Sequence, residues 1–285
     1  MKKNILIVAG EPSGDMHASD LIRKLKELDS GLFFFGIGGS KMEAEGMNLV
    51  ERIEKLSIIG ISEVVFKIHH VYRAFRKIMQ KVRTVRPDLA ILVDYPGFNL
   101  KLAKALKKRK IPVVYYITPQ VWAWGKSRIG IIKKYVDKAI VILKFEEDLF
   151  REHGVNATFV GHPLLDHILD GSLPDKRSLG LDKNLPTIAL LPGSRESEIK
   201  NMLPIMAETS RIVSKNTPAQ FVLLKSSAVH ENVYANTLKK AGLDVPSIKD
   251  NTHGCLGISD FVFTTSGTAT LECALMERPM LITYK

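Results

Sequence analysis

The chain alternates between short, continuously apolar segments and longer amphipathic segments along its whole length. Apolar residues dominate Asn4–Ala9, Leu89–Val93 and Thr187–Leu191. Between such segments, apolar residues recur in steps of three and four, most clearly over residues 64–82, as in an amphipathic helix. Continuous apolar strands separated by helices are typical of parallel sheets that are covered on both faces. The pattern therefore predicts an α/β fold.

The alternation runs twice, with a polar interruption between the two series. Residues 170–183 are rich in Gly, Pro, Ser and charged side chains, and a new strand follows at Thr187. We therefore expect an N-terminal domain over residues 1–168 and a C-terminal domain over 169–285, each of ordinary domain size. The last expected strand, at 279–283, stops directly before Lys285. A parallel strand is normally followed by a covering helix, so we expect a C-terminal portion to be missing.

Composition restricts the classes of protein that remain. Cys255 and Cys273 are the two cysteines of the 285 residues and form no CxxC pair, so a disulfide framework or a structural zinc site is not expected. The apolar residues after Met1 are too few for a signal peptide, and no apolar run reaches the roughly 18 residues of a spanning helix. These features predict a cytoplasmic protein.

The positive charge is concentrated in the first half of the chain. The net charge is +11, of which residues 1–168 contribute +10 and residues 169–285 contribute +1. Such an excess indicates an anionic partner: nucleic acid, a phosphorylated substrate or acidic lipid headgroups. The alternative is that part of the excess only keeps surface helices solvated.

Two acidic sites follow apolar strands of the first half, where ligands of open α/β sheets bind. Asp94 ends a strand that is otherwise apolar. Partial desolvation there would raise its pKa toward the range of a general base, although Asp94 could instead cap the next helix. Glu11 and Asp15 lie in a loop that does not spell GxGxxG, so a bound NAD is not expected. Sugar hydroxyls suit this loop better, unless Asp15 merely caps a helix.

Both tryptophans of the chain, Trp122 and Trp124, lie in one loop after another predicted strand. Aromatic rings at such an edge commonly pack against sugars or acyl chains, but they could also fill a gap between domains.

In the second half, two small-residue turns each join an apolar strand to a helix. Gly193-Ser194-Arg195 precedes an acidic first turn, and Ser266-Gly267-Thr268 opens the helix that carries Glu272. A helix N-terminus attracts phosphate, Arg195 adds a forked cationic donor, and Glu272 could accept two ribose hydroxyls. Ser194 alone could simply be a helix cap, but the two turns together predict a nucleotide site at one sheet edge.

Taken together, these motifs resemble those of the lipid-A-disaccharide synthase family in order and spacing, over essentially all 285 residues. The matching segments are Ala9-Gly10-Glu11-x-Ser13-Gly14-Asp15, Asp94-Tyr95-Pro96-Gly97-Phe98-Asn99, Pro119-Gln120-Val121-Trp122-Ala123-Trp124, Phe159-Val160-Gly161-His162-Pro163, Leu191-Pro192-Gly193-Ser194-Arg195 and Ser266-Gly267-Thr268-Ala269-Thr270-Leu271-Glu272.

The resemblance implies a GT-B glycosyltransferase with two Rossmann-like domains and a cleft between them. Its reaction would join UDP-2,3-diacylglucosamine to the 6-hydroxyl of 2,3-diacylglucosamine 1-phosphate with inversion, giving a β-1,6-linked disaccharide 1-phosphate and UDP. Asp94 matches the proposed base. Neither a cofactor nor a metal is implied, and the absence of an Asp-x-Asp motif fits metal-independence.

The resemblance also assigns roles to the other candidate residues. Glu11 and Arg195 join Asp94 as catalytic candidates. Ser13, Asp15, Trp122 and Trp124 are candidates for sugar or acyl contact. The UDP-binding candidates are Gly193, Ser194, Arg195, Ser266, Gly267, Thr268 and Glu272.

The implied partners are the two lipid substrates and the inner face of the inner membrane of a Gram-negative cell, rather than nucleic acid; a homodimer is left open. Family members continue beyond residue 285, which puts the activity of a chain ending there in doubt. Two alternatives stay open: a related enzyme that uses another nucleotide sugar, such as an epimerase, and a non-catalytic nucleotide- or lipid-binding module.

Overall fold

The computed structural model describes residues 3–53, 64–123, 125–169, 173–226 and 229–284. The apolar segment expected at 56–61 and Trp124 lie outside these residues. The chain divides into two compact units, Met1–Pro163 and Leu164–Lys285. Each described unit is built from one sheet of parallel strands with helices around it, as the alternating pattern predicts.

Seven strands make up the sheet of the first unit: β1 (Asn4–Ala9), β2 (Phe33–Gly38), β3 (Asn48–Arg52), β4 (Leu89–Val93), β5 (Val113–Tyr116), β6 (Lys138–Val141) and β7 (Ala157–Phe159). Their order is β3-β2-β1-β4-β5-β6-β7, and every neighbouring pair is parallel. The order reverses direction between β1 and β4. Ligands of such sheets bind at this switch point, beyond the carboxyl ends of the strands.

A helix lies between each pair of consecutive strands in the first unit: α1 (Pro12–Leu28), α2 (Ser40–Ala44), α3 (Val64–Val85), α4 (Pro96–Lys107), α5 (Ser127–Tyr135) and α6 (Lys144–Glu152). Apolar side chains pack on both faces of the sheet. One cluster includes Leu6, Leu92 and Ile78 of α3, and the other includes Ile7, Val93 and Ile22 of α1. All six of these side chains are fully buried, so the continuously apolar strands are explained by helices on both sides.

The second unit begins with α7 (Leu164–Leu169) and contains a five-stranded parallel sheet in the order β10-β9-β8-β11-β12. Its strands are β8 (Thr187–Leu191), β9 (Gln220–Lys225), β10 (Ser247–Lys249), β11 (Phe261–Thr265) and β12 (Met280–Thr283). Its other helices are α8 (Glu196–Asn216), α9 (Glu231–Ala241), α10 (Thr252–Gly257) and α11 (Thr268–Leu275). Here the strand order reverses between β8 and β11, the two strands that precede the predicted phosphate turns.

The structure differs from the sequence-based prediction mainly at helix starts and at one strand. α1 begins at Pro12 rather than His17, and α4 begins at Pro96 rather than Leu100. Proline fits the first turn of a helix because its missing N–H would have no partner there. The helix α6 and the three-residue strand β7 were not predicted, since β7 is shorter than a recognisable apolar run.

Candidate functional site

Asp94 lies at the switch point of the first sheet, in a turn that only tight support can hold. Asp94 and Tyr95 both have left-handed backbones, with φ values of 45° and 47°. Residues other than glycine adopt this conformation at a cost, and such strain is concentrated at functional sites. Tyr95 precedes α4, and no side chain caps that helix. Asp94 is therefore not the capping residue of α4, which was the alternative considered from the sequence.

Three neighbouring residues hold this turn in place. The buried Asn99 Nδ2 donates to the carbonyl oxygens of Val93 at 3.1 Å and Asp94 at 2.8 Å. The hydroxyl of Tyr115 donates to the Asp94 carbonyl at 2.7 Å. The turn also needs a glycine on β1's side, because a Cβ on Gly10 would lie 2.2 Å from the Tyr95 ring. The Asp94 backbone is thereby fixed by residues of three separate segments.

The electrostatic surroundings of Asp94 suit a base. Burial raises the pKa of Asp94, the negative charge of Glu11 raises it further, and a hydrogen bond from the Tyr95 backbone opposes both effects. Glu11 is exposed at the end of β1 and contributes in the same way to the raised pKa of Tyr95. The structure thus brings the two predicted carboxylates, Glu11 and Asp94, into electrostatic contact.

Asp94 lines a cavity of about 260 Å³ within the first unit, and this cavity contains residues that the sequence did not single out. Its described lining is Asp94, Pro96, Ile117, Thr118, Pro119, Gln120, Arg128, Ile142, Leu143 and Glu146. Glu146 is 1% exposed and accepts hydrogen bonds from Trp122 Nε1 at 3.1 Å and from the Leu143 backbone. Burial raises the pKa of Glu146, and the Trp122 bond opposes that shift.

The two residues predicted near the sugar at the start of α1 differ in surroundings. Ser13 is exposed, whereas Asp15 is 4% exposed and its carboxylate accepts three backbone N–H groups, from Gly39, Lys41 and Met42. Asp15 therefore caps the start of α2, which is the structural alternative considered from the sequence.

Of the two tryptophans expected near a sugar or acyl chain, Trp122 lies within the described residues. It stays partly exposed and packs edge-on against Phe145.

In the second unit, the two predicted turns line one cavity of about 330 Å³. From the predicted set it contains Gly193, Ser194, Arg195, Ser266, Gly267 and Glu272, and it adds Leu191, Glu198, Leu224, Lys225, Ser226, Asp250, Thr252, Thr265 and Ala269. The turns meet because β8 and β11 pair in parallel, so that their carboxyl ends coincide. Thr268 begins α11, as expected.

The first turn already has an anion in contact with its amides. Glu198 Oε2 accepts the backbone N–H groups of Ser194 at 2.9 Å and Arg195 at 3.2 Å, and its Oε1 accepts Arg195 Nη1 at 2.8 Å. Gly193 has φ 113°, and a Cβ there would lie 2.3 Å from this carboxylate. A carboxylate and a phosphate oxygen make the same kind of contact at a helix N-terminus. The Glu198 carboxylate thus already accepts the two amides that the sequence predicts to bind phosphate.

Glu272 lies one turn into α11, within the same cavity. Burial raises its pKa to about 7, and its Oε1 lies 3.4 Å from His253 Nε2. Its carboxyl group therefore changes charge near neutral pH. Among the residues that the structure describes, no group of three or more His, Cys, Asp or Glu side chains could hold a metal ion.

Comparison with known proteins identifies the family. A family model described as lipid-A-disaccharide synthetase matches residues 5–285. The lipid-A-disaccharide synthase of Syntrophus aciditrophicus (strain SB) is 41% identical over 289 residues, a match that spans 99% of this chain and 75% of that protein. The chain belongs to the lipid-A-disaccharide synthase family. It is an enzyme of this type, and the condensation expected from the sequence is the family's step in lipid A biosynthesis.

Solved structures support the same fold at low sequence identity. The Neisseria meningitidis UDP-GlcNAc 2-epimerase bound to UDP-GlcNAc aligns with a TM-score of 0.64 at 12% identity, covering 98% of this chain and 82% of that one. The calicheamicin glycosyltransferase CalG4 aligns with a TM-score of 0.61 at 14% identity, covering 99% and 80%. At such identities the fold alone is shared, and the assignment to lipid-A-disaccharide synthases rests on sequence.

Proposed function

We propose that this chain performs the family's condensation with Asp94 as the general base and with UDP held in the cavity of the second unit. The observation that carries the donor assignment is the convergence of Gly193-Ser194-Arg195 and Ser266-Gly267 on one cavity. The observation that carries the base assignment is the raised pKa of Asp94 in a fixed, strained turn.

In this mechanism, Asp94 removes the proton from the acceptor 6-hydroxyl as that oxygen attacks the anomeric carbon of the donor. The bond from that carbon to UDP breaks on the opposite face, which inverts the configuration. A base whose pKa is raised by burial and by Glu11 holds the proton more strongly than an ordinary carboxylate. In this mechanism the exposed side chains of Glu11 and Ser13 contact the sugar, as the sequence predicts.

The charge that develops on UDP would be stabilised without a metal. Arg195 and the N-termini of α8 and α11 provide fixed positive charge where the diphosphate leaves. Since Glu198 occupies the amides of Ser194 and Arg195, the diphosphate must displace that carboxylate or bind beside it on Arg195. Glu272 would accept the ribose hydroxyls.

Arg195→Ala tests the donor site. We expect UDP to bind roughly tenfold more weakly or worse, because a charge-assisted contact to phosphate is lost. Isothermal titration calorimetry measures the affinity, and Lys200→Ala on the next turn of α8 is the matched control, since Lys200 pairs with Glu196 outside the cavity. An unchanged UDP affinity in Arg195→Ala would remove Arg195 from the donor site.

We further propose that the first unit works against an anionic lipid surface, at the inner face of the inner membrane. The support is the net charge of +10 on residues 1–168 and the exposed Tyr72, Arg73 and Arg76 on α3. None of the described helices has the length and apolarity needed to cross a bilayer. Co-sedimentation with vesicles should increase with anionic lipid and decrease with salt. Binding that ignores both would contradict this assignment.

A further inference from the structure

The cavity beside Asp94 contains a cationic side chain and a hydroxyl that the base assignment does not use. Arg128 is half-buried in the cavity wall, and no carboxylate within the described parts of the chain pairs with it. Thr118 lines the same wall and is 4% exposed, yet its Oγ1 has no hydrogen-bond partner among the residues that the structure describes. A buried polar atom without a partner is costly and therefore points to a ligand that completes it.

Neither carboxylate of the cavity, Asp94 or Glu146, forms an ion pair with Arg128 within the described parts of the chain. Glu146 is held by Trp122 and by the Leu143 backbone. Glu11 raises the pKa of Asp94 and a hydrogen bond from the Tyr95 backbone lowers it, whereas Arg128 is not among the groups that shift it. The positive charge of Arg128 lowers the pKa of Tyr115 against the larger effect of burial, and the Tyr115 hydroxyl donates a hydrogen bond to the Asp94 carbonyl. Arg128 therefore shares the cavity with Asp94, and among the described residues no ion pair joins the two side chains.

The local backbone also favours an anion next to Arg128. Arg128 is the second residue of α5, a nine-residue helix without a side-chain cap and without an acidic residue in its first turn. The partial positive charge of that helix N-terminus adds to the guanidinium. Arginine prefers planar, paired contacts to phosphate or carboxylate oxygens, and a threonine hydroxyl donates a further bond to the same kind of oxygen.

We propose that Arg128 and Thr118 form a subsite for the phosphate monoester of the acceptor sugar, in the same cavity as the base Asp94. This proposal rests on the proposed acceptor chemistry and specifies how that acceptor is oriented. The acceptor carries its reacting hydroxyl and its phosphate on one sugar ring, so a cavity of about 260 Å³ accommodates both ends near these residues. Holding the phosphate at Arg128 turns the hydroxyl toward Asp94.

The test compares two acceptors that differ only in the phosphate: 2,3-diacylglucosamine 1-phosphate and 2,3-diacylglucosamine, each at saturating UDP-2,3-diacylglucosamine. For the wild type, we expect kcat/KM to be at least tenfold higher with the phosphorylated acceptor. Arg128→Gln should raise KM for that acceptor at least tenfold and change kcat/KM for the phosphate-free acceptor less than twofold. Thr118→Val, which removes the hydroxyl at constant shape, should act in the same direction by a few fold.

The controls separate this subsite from other anion sites. Lys126→Gln removes an exposed positive charge two residues away and should leave both acceptors unchanged. The KM of the donor should stay constant in Arg128→Gln; a raised donor KM would assign Arg128 to the diphosphate and overturn the proposal. Inorganic phosphate should compete with the phosphorylated acceptor in the wild type and lose that effect in Arg128→Gln.

Two further results would contradict the idea, and they differ in what they refute. If the wild type uses both acceptors equally well, the phosphate subsite is wrong while the proposed condensation stands. If the wild type uses neither acceptor, the proposed function fails as well. Arg128→Lys keeps the charge without the planar fork, so it should retain part of the phosphate preference and serves as the second variant if Arg128→Gln does not fold.

Discussion

The carboxyl group of Glu272 should make nucleotide binding depend on pH. Burial raises its pKa from the ordinary 4.5 to about 7, and the carboxylate form is the one that accepts hydroxyl donors. At this pKa, about one tenth of the group is ionised at pH 6 and about nine tenths at pH 8. Binding that requires the carboxylate should therefore strengthen about tenfold between these two pH values.

The assay is calorimetric titration with UDP-N-acetylglucosamine at pH 6, 7 and 8, because its diphosphate stays fully ionised over this range. Glu272→Gln should give a weak affinity that does not change with pH, and Glu277→Gln, just after α11 and exposed, should behave like the wild type. His253, 3.4 Å away, is the titratable partner to control for, so His253→Asn should keep the direction of the pH dependence. A wild-type affinity that is constant from pH 6 to 8 would refute the role of Glu272.

The same pKa shift has a consequence for stability with a definite sign. Because the folded pKa is raised above the unfolded one, the folded state favours the protonated carboxyl. That contribution is fully present below about pH 4.5 and is lost as the pH rises through about 7, by roughly 3 kcal/mol in total. Glu272→Gln should remove this loss, so urea denaturation at pH 8 should show a more stable variant than the wild type.

The remaining predictions concern the supports of the first site. Asn99→Ala should destabilise the fold by about 1–3 kcal/mol in urea denaturation, because buried carbonyls of Val93 and Asp94 lose a donor, and it should lower kcat while UDP affinity stays unchanged. Equal effects on kcat and UDP affinity would contradict its placement. Asp15→Ala should also cost about 1–3 kcal/mol, since the backbone N–H groups of Gly39, Lys41 and Met42 at the start of α2 lose their acceptor, whereas Asp20→Ala at the surface of α1 should cost little. A stability equal to wild type in Asp15→Ala would refute the capping role.

The location of both candidate sites could be predicted because it depends on strand ends. Asp94 and the Gly193 and Ser266 turns each follow a continuously apolar strand, and parallel strands place such ends at one edge. The pairing of the two turns in one cavity followed from the same rule. The expected role of Asp94 as a base stays a prediction, but the burial that motivated it is present.

The partners of these residues could not be predicted, since they depend on contacts between loops far apart in the sequence. Thr118 follows a predicted strand and could be placed at the same edge as Asp94, whereas Arg128 and Glu146 reach the cavity from α5 and α6, and no spacing pattern relates them. Glu198 was visible as an acid in the first turn of α8, but its contact with the Ser194 amide depends on its side-chain rotamer. Asp15 could have faced a sugar or a helix start with equal plausibility, and the position of α2 decides between them.

The most direct test of the central claim is the turnover of Asp94→Asn with both lipid substrates, measured as UDP release. The substitution keeps the size of the side chain and removes the proton acceptor, so general base catalysis predicts a loss of about 10²–10⁴ in kcat. UDP affinity should stay close to that of the wild type, because the second unit does not change. The urea midpoint should not fall, because the backbone contacts of the turn remain and the substitution removes a charge that burial and Glu11 disfavour. A kcat within a few fold of the wild type would contradict the assignment of Asp94 as the base.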